Sequence, residues 1–200
     1  MAIEYPENMI GVGVMRHSGP YEMGDGGLLL TDGENLAQRS GKMIVDIVNK
    51  MGLSNVILCD SELERSRRTI KLVCEVMRDS GLSTIQLGCR VLQLPKNGFT
   101  IAADTVRYLL SEIITPYATE NFHNQEYLFL AGSHSPLRKA GCYILPRRPN
   151  TSRGFPDNYA SGTICNLRNG SGYDFYPSLI SGEEVTEELT YQLHDPYDEQ

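Results

Sequence analysis

Ile10-Gly11-Val12-Gly13-Val14-Met15-Arg16-His17-Ser18-Gly19 joins an apolar run directly to two polar, chemistry-bearing side chains. A short apolar run bounded by turn residues reads as a buried parallel strand. Arg16 and His17 then leave that strand at its carboxyl end. In open α/β sheets, ligands bind just outside those ends. The opening of the chain therefore predicts a parallel sheet with an Arg and a His at its working edge.

Similar units follow. Asp32 is the expected N-cap of a helix running to about Met51, with Leu36, Met43, Ile44, Ile47 and Val48 as its core face and Gly52 as its stop. Asn55–Cys59 reads as a second buried strand. Ser61 and Glu64 have capping-box spacing, and the spacing predicts a helix from Glu62 to about Asp79, closed by Gly81. Thr84–Leu87 reads as a third strand, Ile101–Ile114 as a helix, and Tyr127–Ala131 as a fourth strand leading to Gly132-Ser133-His134. Pro136 would start a short helix carrying Leu137, Arg138 and Lys139. Ala160–Leu167 and Tyr173–Tyr176 read as a late hairpin. Ser181 and Glu184, at capping-box spacing, predict a last helix to about Leu193.

Alternating strands and helices predict a single α/β domain over residues 1–200. A mainly parallel central sheet carries helices on both faces, a three-layer α/β/α sandwich with an antiparallel edge near the C-terminus. The 200 residues are enough for one substantial core. A net charge of −7 with a pI near 5.1 argues against a nucleic-acid partner, because phosphate backbones need dense Lys and Arg. No apolar run is long enough to span a bilayer, and the N-terminal residues lack a signal core, so no membrane association is expected. Five cysteines without a Cys-x-x-Cys pair indicate neither a disulfide framework nor a zinc site, and a reducing cytoplasm is expected.

Parallel strands bring the ends carrying Arg16 and His17, Ser61 and Arg65, and His134 to one edge. Two arginines and two histidines with no carboxylate set at ligand spacing describe an anion pocket rather than a metal site. Arginine forks match phosphate geometry, and a neutral imidazole can attack phosphorus. Arg67 and Arg68 are expected to face solvent or pair with Glu64 or Glu75. His123 and His194 read as solvated. Arg147, Arg148 and Arg153 read as a solvated loop or as the rim of the pocket. Cys59-Asp-Ser-Glu-Leu-Glu-Arg65 has the Cys-to-Arg spacing of cysteine-based phosphatases, but three carboxylates in it would repel a phosphate dianion and raise the thiol pKa.

Four stretches in order resemble the histidine phosphatase (phosphoglycerate mutase-like) superfamily. Met15-Arg16-His17-Ser18 resembles its Arg-His-Gly opening. Leu30-Thr31-Asp32-Gly33-Glu34-Asn35-Leu36-Ala37 resembles its Leu-Thr-x-x-Gly-x-x-Gln-Ala helix start, one residue shorter. Ser61-Glu-Leu-Glu-Arg65-Ser-Arg-Arg-Thr69 resembles its Ser-x-Leu-x-Arg-Ala-x-x-Thr element, and Gly132-Ser133-His134 its second histidine. The resemblance implies the phosphoglycerate mutase-like fold and a phosphatase acting on a phosphorylated small molecule or phosphoprotein. It implies that His17 becomes the phosphohistidine, that Arg16 and Arg65 clamp the phosphoryl group, and that His134 donates to it. Neither a metal nor an organic cofactor is implied.

The chain departs from the family pattern in two places. Ser18 replaces the usual Gly, and short phosphohistidine phosphatases share a small residue there. Gln93 stands where many members carry a Glu, and Gln cannot give a proton to a leaving alkoxide. Glu22 is then a candidate general acid, with Asp25 and Asp104 as the alternatives. A mutase of the same superfamily ranks lower, because no covering insertion and no matching Glu are found. A catalytically weak phospho-ligand binding protein is the third reading, motivated by Gln93. Oligomeric state is not legible in the sequence.

Overall fold

A computed structural model describes residues 4–20, 29–89, 92, 107–133, 145, 159–179 and 185–190. The strands are β1 (Met9–Arg16), β2 (Asn55–Asp60), β3 (Ser83–Gly88), β4 (Tyr127–Ser133), β5 (Gly162–Asn166), β6 (Ser171–Tyr176) and β7 (Val185–Thr190). They form one seven-stranded sheet in the order β3-β2-β4-β1-β5-β6-β7. β3, β2, β4 and β1 are mutually parallel. β5 pairs antiparallel with β1, β6 with β5, and β7 with β6. Hence β1, β2, β3, β4 and β6 run one way, and β5 and β7 run the other.

Helices cover both faces. α1 (Thr31–Lys50) and α2 (Glu64–Asp79) bury Ile44, Ile47, Val48, Ile70, Val73 and Met77 against Met15, Leu58, Leu130 and Phe175. A π-helical segment (Leu109–Ile114) runs directly into α3 (Thr115–Phe122), and both pack Leu110, Ile114 and Phe122 against Val12, Val14, Ile57 and Phe129 on the other face. The change of face follows from topology. The chain travels outward from β1 to β2 to β3 under α1 and α2, then reverses to reach β4. Right-handed crossovers put the helix of the return journey on the opposite side.

Several boundaries differ from the sequence expectation. α1 has Leu30, not Asp32, at its N-cap, because the Leu30 carbonyl accepts the first helical bond, from the Glu34 N–H at 3.0 Å. Asp32 and Glu34 instead sit in the first turn, where the helix dipole favours them. The Ser61–Glu64 capping box does not form: α2 begins at Glu64 after Leu63, with no side-chain cap. The Ser61 N–H donates instead to Ser66 Oγ at 3.2 Å. The predicted helix end at Ile114 is not an end. The π-helical turn and Thr115 Oγ1, donating to the Leu110 carbonyl at 2.7 Å, carry the helix through Pro116 to Phe122. The predicted last helix is replaced by β7, where Val185, Thr186 and Thr190 suit a strand and the segment gains backbone pairing along β6. Gly52 and Gly81 take positive φ as helix stops, and the late hairpin forms as β5 and β6.

Candidate active site

The register Arg16↔Ser133 and Cys59↔Ala131 brings the carboxyl ends of β1, β2 and β4 side by side. His17 follows β1 and is 4% exposed. Its Nδ1 lies 2.8 Å from the Ser18 carbonyl oxygen. A carbonyl can only accept, so Nδ1 carries the proton and Nε2 carries the lone pair. Arg65, in the first turn of α2, donates Nε–H to that Nε2 at 3.3 Å. The Nε2 lone pair is thus turned toward the Arg65 guanidinium.

The backbone around His17 is pinned from three directions. The Ser18 N–H donates to Thr69 Oγ1 at 2.9 Å, and Thr69 donates to the Arg65 carbonyl at 2.7 Å. Ser18 Oγ donates to the Gly33 carbonyl at the start of α1. From the other side, the Arg16 N–H donates to the Ser161 carbonyl at 2.9 Å and the Ala160 N–H to the His17 carbonyl at 3.3 Å. Ser18 thus ties the strand end to α1, a contact that a Gly could not make.

Asp60, which is buried, shapes the turn into α2. Its Oδ1 accepts the Glu62 N–H at 2.7 Å and its Oδ2 accepts Gln86 Nε2–H at 2.9 Å. Glu62 takes φ 63°, a conformation that side chains rarely adopt and that this network holds in place. Arg65 alone of its neighbouring arginines turns to His17. Arg67 pairs with Glu64 at 4.0 Å, as the spacing suggested. Arg68 pairs with Glu34 on α1 at 2.7 Å rather than with Glu64 or Glu75, because the two helices pack side by side.

Arg16 points its guanidinium over the ring of Tyr159, 4.3 Å from the centroid. The same ring lies 5.9 Å from the His17 ring, centroid to centroid. Sequence reading missed Tyr159, Thr69 as a bridge, and Asp60. The Thr at the end of the Ser61–Thr69 stretch was the one available signal among them.

Cys59 does not belong to this site. It is fully buried in the core cluster under the π-helical segment and α3. Its Sγ lies 2.9 Å from Cys89 Sγ. Burial first, then the bond to Cys89 and the charge of Asp60, hold its thiol well above the ordinary range. A cysteine nucleophile needs the opposite shift. A cavity of about 800 Å³, lined in part by Tyr5, Asn8, Arg107, Leu110 and Tyr127, lies at the amino ends of β1 and β4, at the far edge from His17.

His134 and Glu22 lie outside the described residues, as do Asp25, Gln93, Asp104, Arg147, Arg148, Arg153, His194 and the short helix expected from Pro136 to Lys139. His123 is exposed at the end of α3. Among the described residues, no His, Cys, Asp or Glu cluster could hold a metal ion, and no helix is long and apolar enough to cross a membrane.

No protein-family model and no curated protein matches the sequence. Solved structures do match the fold. The mycobacterial glucosyl-3-phosphoglycerate phosphatase superposes with a TM-score of 0.50 at 11% identity, over 90% of this chain and 97% of that one. The protein histidine phosphatase SixA complexed with tungstate aligns with a TM-score of 0.45 at 16% identity, over 90% and 96%. Phosphoglycerate mutase from Plasmodium falciparum gives 0.45 at 14%, over 88% and 97%. The chain has the phosphoglycerate mutase-like α/β fold of the histidine phosphatases.

Proposed function

Taking that fold as premise, we propose that this protein is a phosphatase that hydrolyses a phosphomonoester or a phosphoprotein through a covalent phosphohistidine on His17. One observation carries the reading. His17 is fixed as the Nδ1–H tautomer by the Ser18 carbonyl, so the lone pair sits on Nε2, beside the Arg65 guanidinium.

In this mechanism the phosphoryl oxygens take over the Arg65 Nε–H that Nε2 accepts, which frees the Nε2 lone pair to attack the phosphorus and form an N–P bond as the P–O bond to the leaving group breaks. Arg16 and Arg65 bind the equatorial oxygens, whose charge needs support throughout transfer. His134 is assigned to donate to the same oxygens, and Glu22 to protonate the leaving oxygen, with Asp25 and Asp104 as the alternatives. Water then attacks the phosphorus and breaks the N–P bond, giving a proton back to the group that protonated the leaving oxygen, and releases phosphate with the neutral imidazole restored. The substrate is a phosphorylated small molecule or protein, and the reaction needs no cofactor.

The test is intact-mass analysis and peptide mapping after brief exposure to an aryl phosphate, quenched in base. A phosphoryl group on the His17 peptide, absent from His17→Ala, supports the reading. Undiminished turnover by His17→Ala overturns it. Phosphate binding without turnover across a broad panel selects the phospho-ligand binding protein that Gln93 suggests.

A further inference from the structure

We propose that Tyr159 is the positioning residue of the anion site: it sets the direction of the Arg16 guanidinium and braces the loop that carries His17. The inference rests on the reading of Arg16 and His17 as the phosphoryl-binding and nucleophilic groups, and it adds a residue which that reading does not contain.

Three contacts converge on one ring. The Arg16 guanidinium carbon stands 4.3 Å from the Tyr159 centroid, within the range of a cation–π contact. The His17 ring meets it at 5.9 Å with planes inclined by 43°. On Gly19, a Cβ would come within 2.7 Å of the ring, so the residue two after the nucleophile is packed onto it. Tyr159 therefore touches both reactive side chains and the loop beyond them.

The ring is itself held. The next two residues are bonded to the strand end by Ala160 N–H to His17 and by Arg16 N–H to Ser161. The Ala160 carbonyl accepts Ser40 Oγ–H from α1 at 2.5 Å. Ala160 takes φ 59°, a left-handed conformation unfavourable for Ala, and it is fully buried. The chain thus accepts a strained residue where the turn brings Tyr159 over Arg16.

The chemistry explains why a ring suits this place. A carboxylate orienting Arg16 would bind the same N–H edge that phosphate needs and would repel the incoming dianion. An aromatic ring offers no oxygen to compete for those in-plane N–H donors and brings no negative charge against the dianion.

The probe is inorganic phosphate, with affinity measured by titration calorimetry and by inhibition of aryl phosphate hydrolysis. Tyr159→Leu is expected to weaken phosphate binding about tenfold, within the range of a partly desolvated cation–π contact. Tyr159→Phe, which keeps the ring face, rescues the affinity. In an Arg16→Met background, Tyr159→Leu is expected to have a smaller effect on phosphate affinity, because only the bracing of the His17 loop is left to lose. Should Tyr159→Leu not fold, Tyr159→Met reads the same difference.

Equal affinity of Tyr159→Leu and the parent protein overturns the inference. So does an equal loss in Tyr159→Phe, or an undiminished effect in the Arg16→Met background. A parent protein that neither binds phosphate nor turns over an aryl phosphate overturns the phosphatase reading, and this inference falls with it. A parent that does both beside an unaffected Tyr159→Leu overturns this inference alone.

Discussion

The hydroxyl of Thr69 accepts the backbone N–H of Ser18 at 2.9 Å and donates to the carbonyl of Arg65 at 2.7 Å. One side chain on α2 thereby fixes the distance between the loop carrying His17 and the turn carrying Arg65. Thr69 is fully buried, so the N–H it serves has no access to water once the hydroxyl is gone. Thr69→Val keeps the shape and orphans that N–H. The expected cost is about 1–3 kcal/mol of stability, measured by urea denaturation. Under the proposed mechanism, kcat/KM for an aryl phosphate falls by about tenfold, the scale of a loss near 1.4 kcal/mol in transition-state stabilisation. Thr69→Ser retains the hydroxyl and recovers most of both. Wild-type stability and activity in Thr69→Val would falsify the bridging role.

Gly33 offers a second handle on the same loop. Its carbonyl accepts Ser18 Oγ–H, and a Cβ on it would lie 2.6 Å from the Pro20 carbonyl oxygen. On helix propensity alone, Gly33→Ala should stabilise α1 by up to about 1 kcal/mol. The close atom belongs to the backbone, however, so the segment from His17 to Pro20 has to move. Overpacking of this kind costs about 1–3 kcal/mol. The net expectation is a protein with a lower melting temperature and reduced phosphate affinity. A rise in melting temperature with full affinity contradicts this account.

What the sequence revealed, and what it hid, follows from the range of the interactions. β1, β2 and β4 are buried on both faces and so appear as uninterrupted apolar runs, and their ends locate Arg16, His17 and Arg65 without any knowledge of the tertiary structure. α1 was legible from periodicity, since Leu36, Met43, Ile44, Ile47 and Val48 are all buried as expected. β7 was not, because its stability comes from pairing with β6, and a local Ser181–Glu184 capping pattern pointed to a helix. Tyr159 reaches His17 across most of the chain, and no local spacing signals such a contact. Asp60 was hidden similarly, since its partner Gln86 lies on the next strand.

Cys59 separates the histidine mechanism from the cysteine alternative. Its distance from Arg65 in sequence suits a cysteine phosphatase, yet the thiol lies in the core beside Cys89 and resists ionisation. Cys59→Ala is expected to leave aryl phosphate turnover intact while lowering stability by about 1–2 kcal/mol, the scale of a small buried truncation. Loss of turnover in a folded Cys59→Ala protein, beside an active His17→Ala, would establish the cysteine route instead.

Burial also predicts how stability responds to alkali. Cys74, on the core face of α2, has its thiol pushed up from an ordinary value near 9 to about 12, mainly by desolvation. In the unfolded chain the same thiol ionises near its ordinary value. Between the two values the folded protein binds a proton that the unfolded chain has lost, so stability falls as pH rises. The contribution is fully present below about pH 9 and declines toward pH 12, at a limiting slope of about 1.4 kcal/mol per pH unit for one proton. Cys59, Tyr5 and Tyr127 are shifted in the same direction by burial and add to the slope. Urea denaturation at pH 8 and at pH 10 measures it. Cys74→Ala removes one of the contributing groups, so its stability starts lower at pH 8 but declines less by pH 10. Parallel declines in the two proteins would mean that Cys74 ionises at the same pH in both states and that its burial has no influence on the proton.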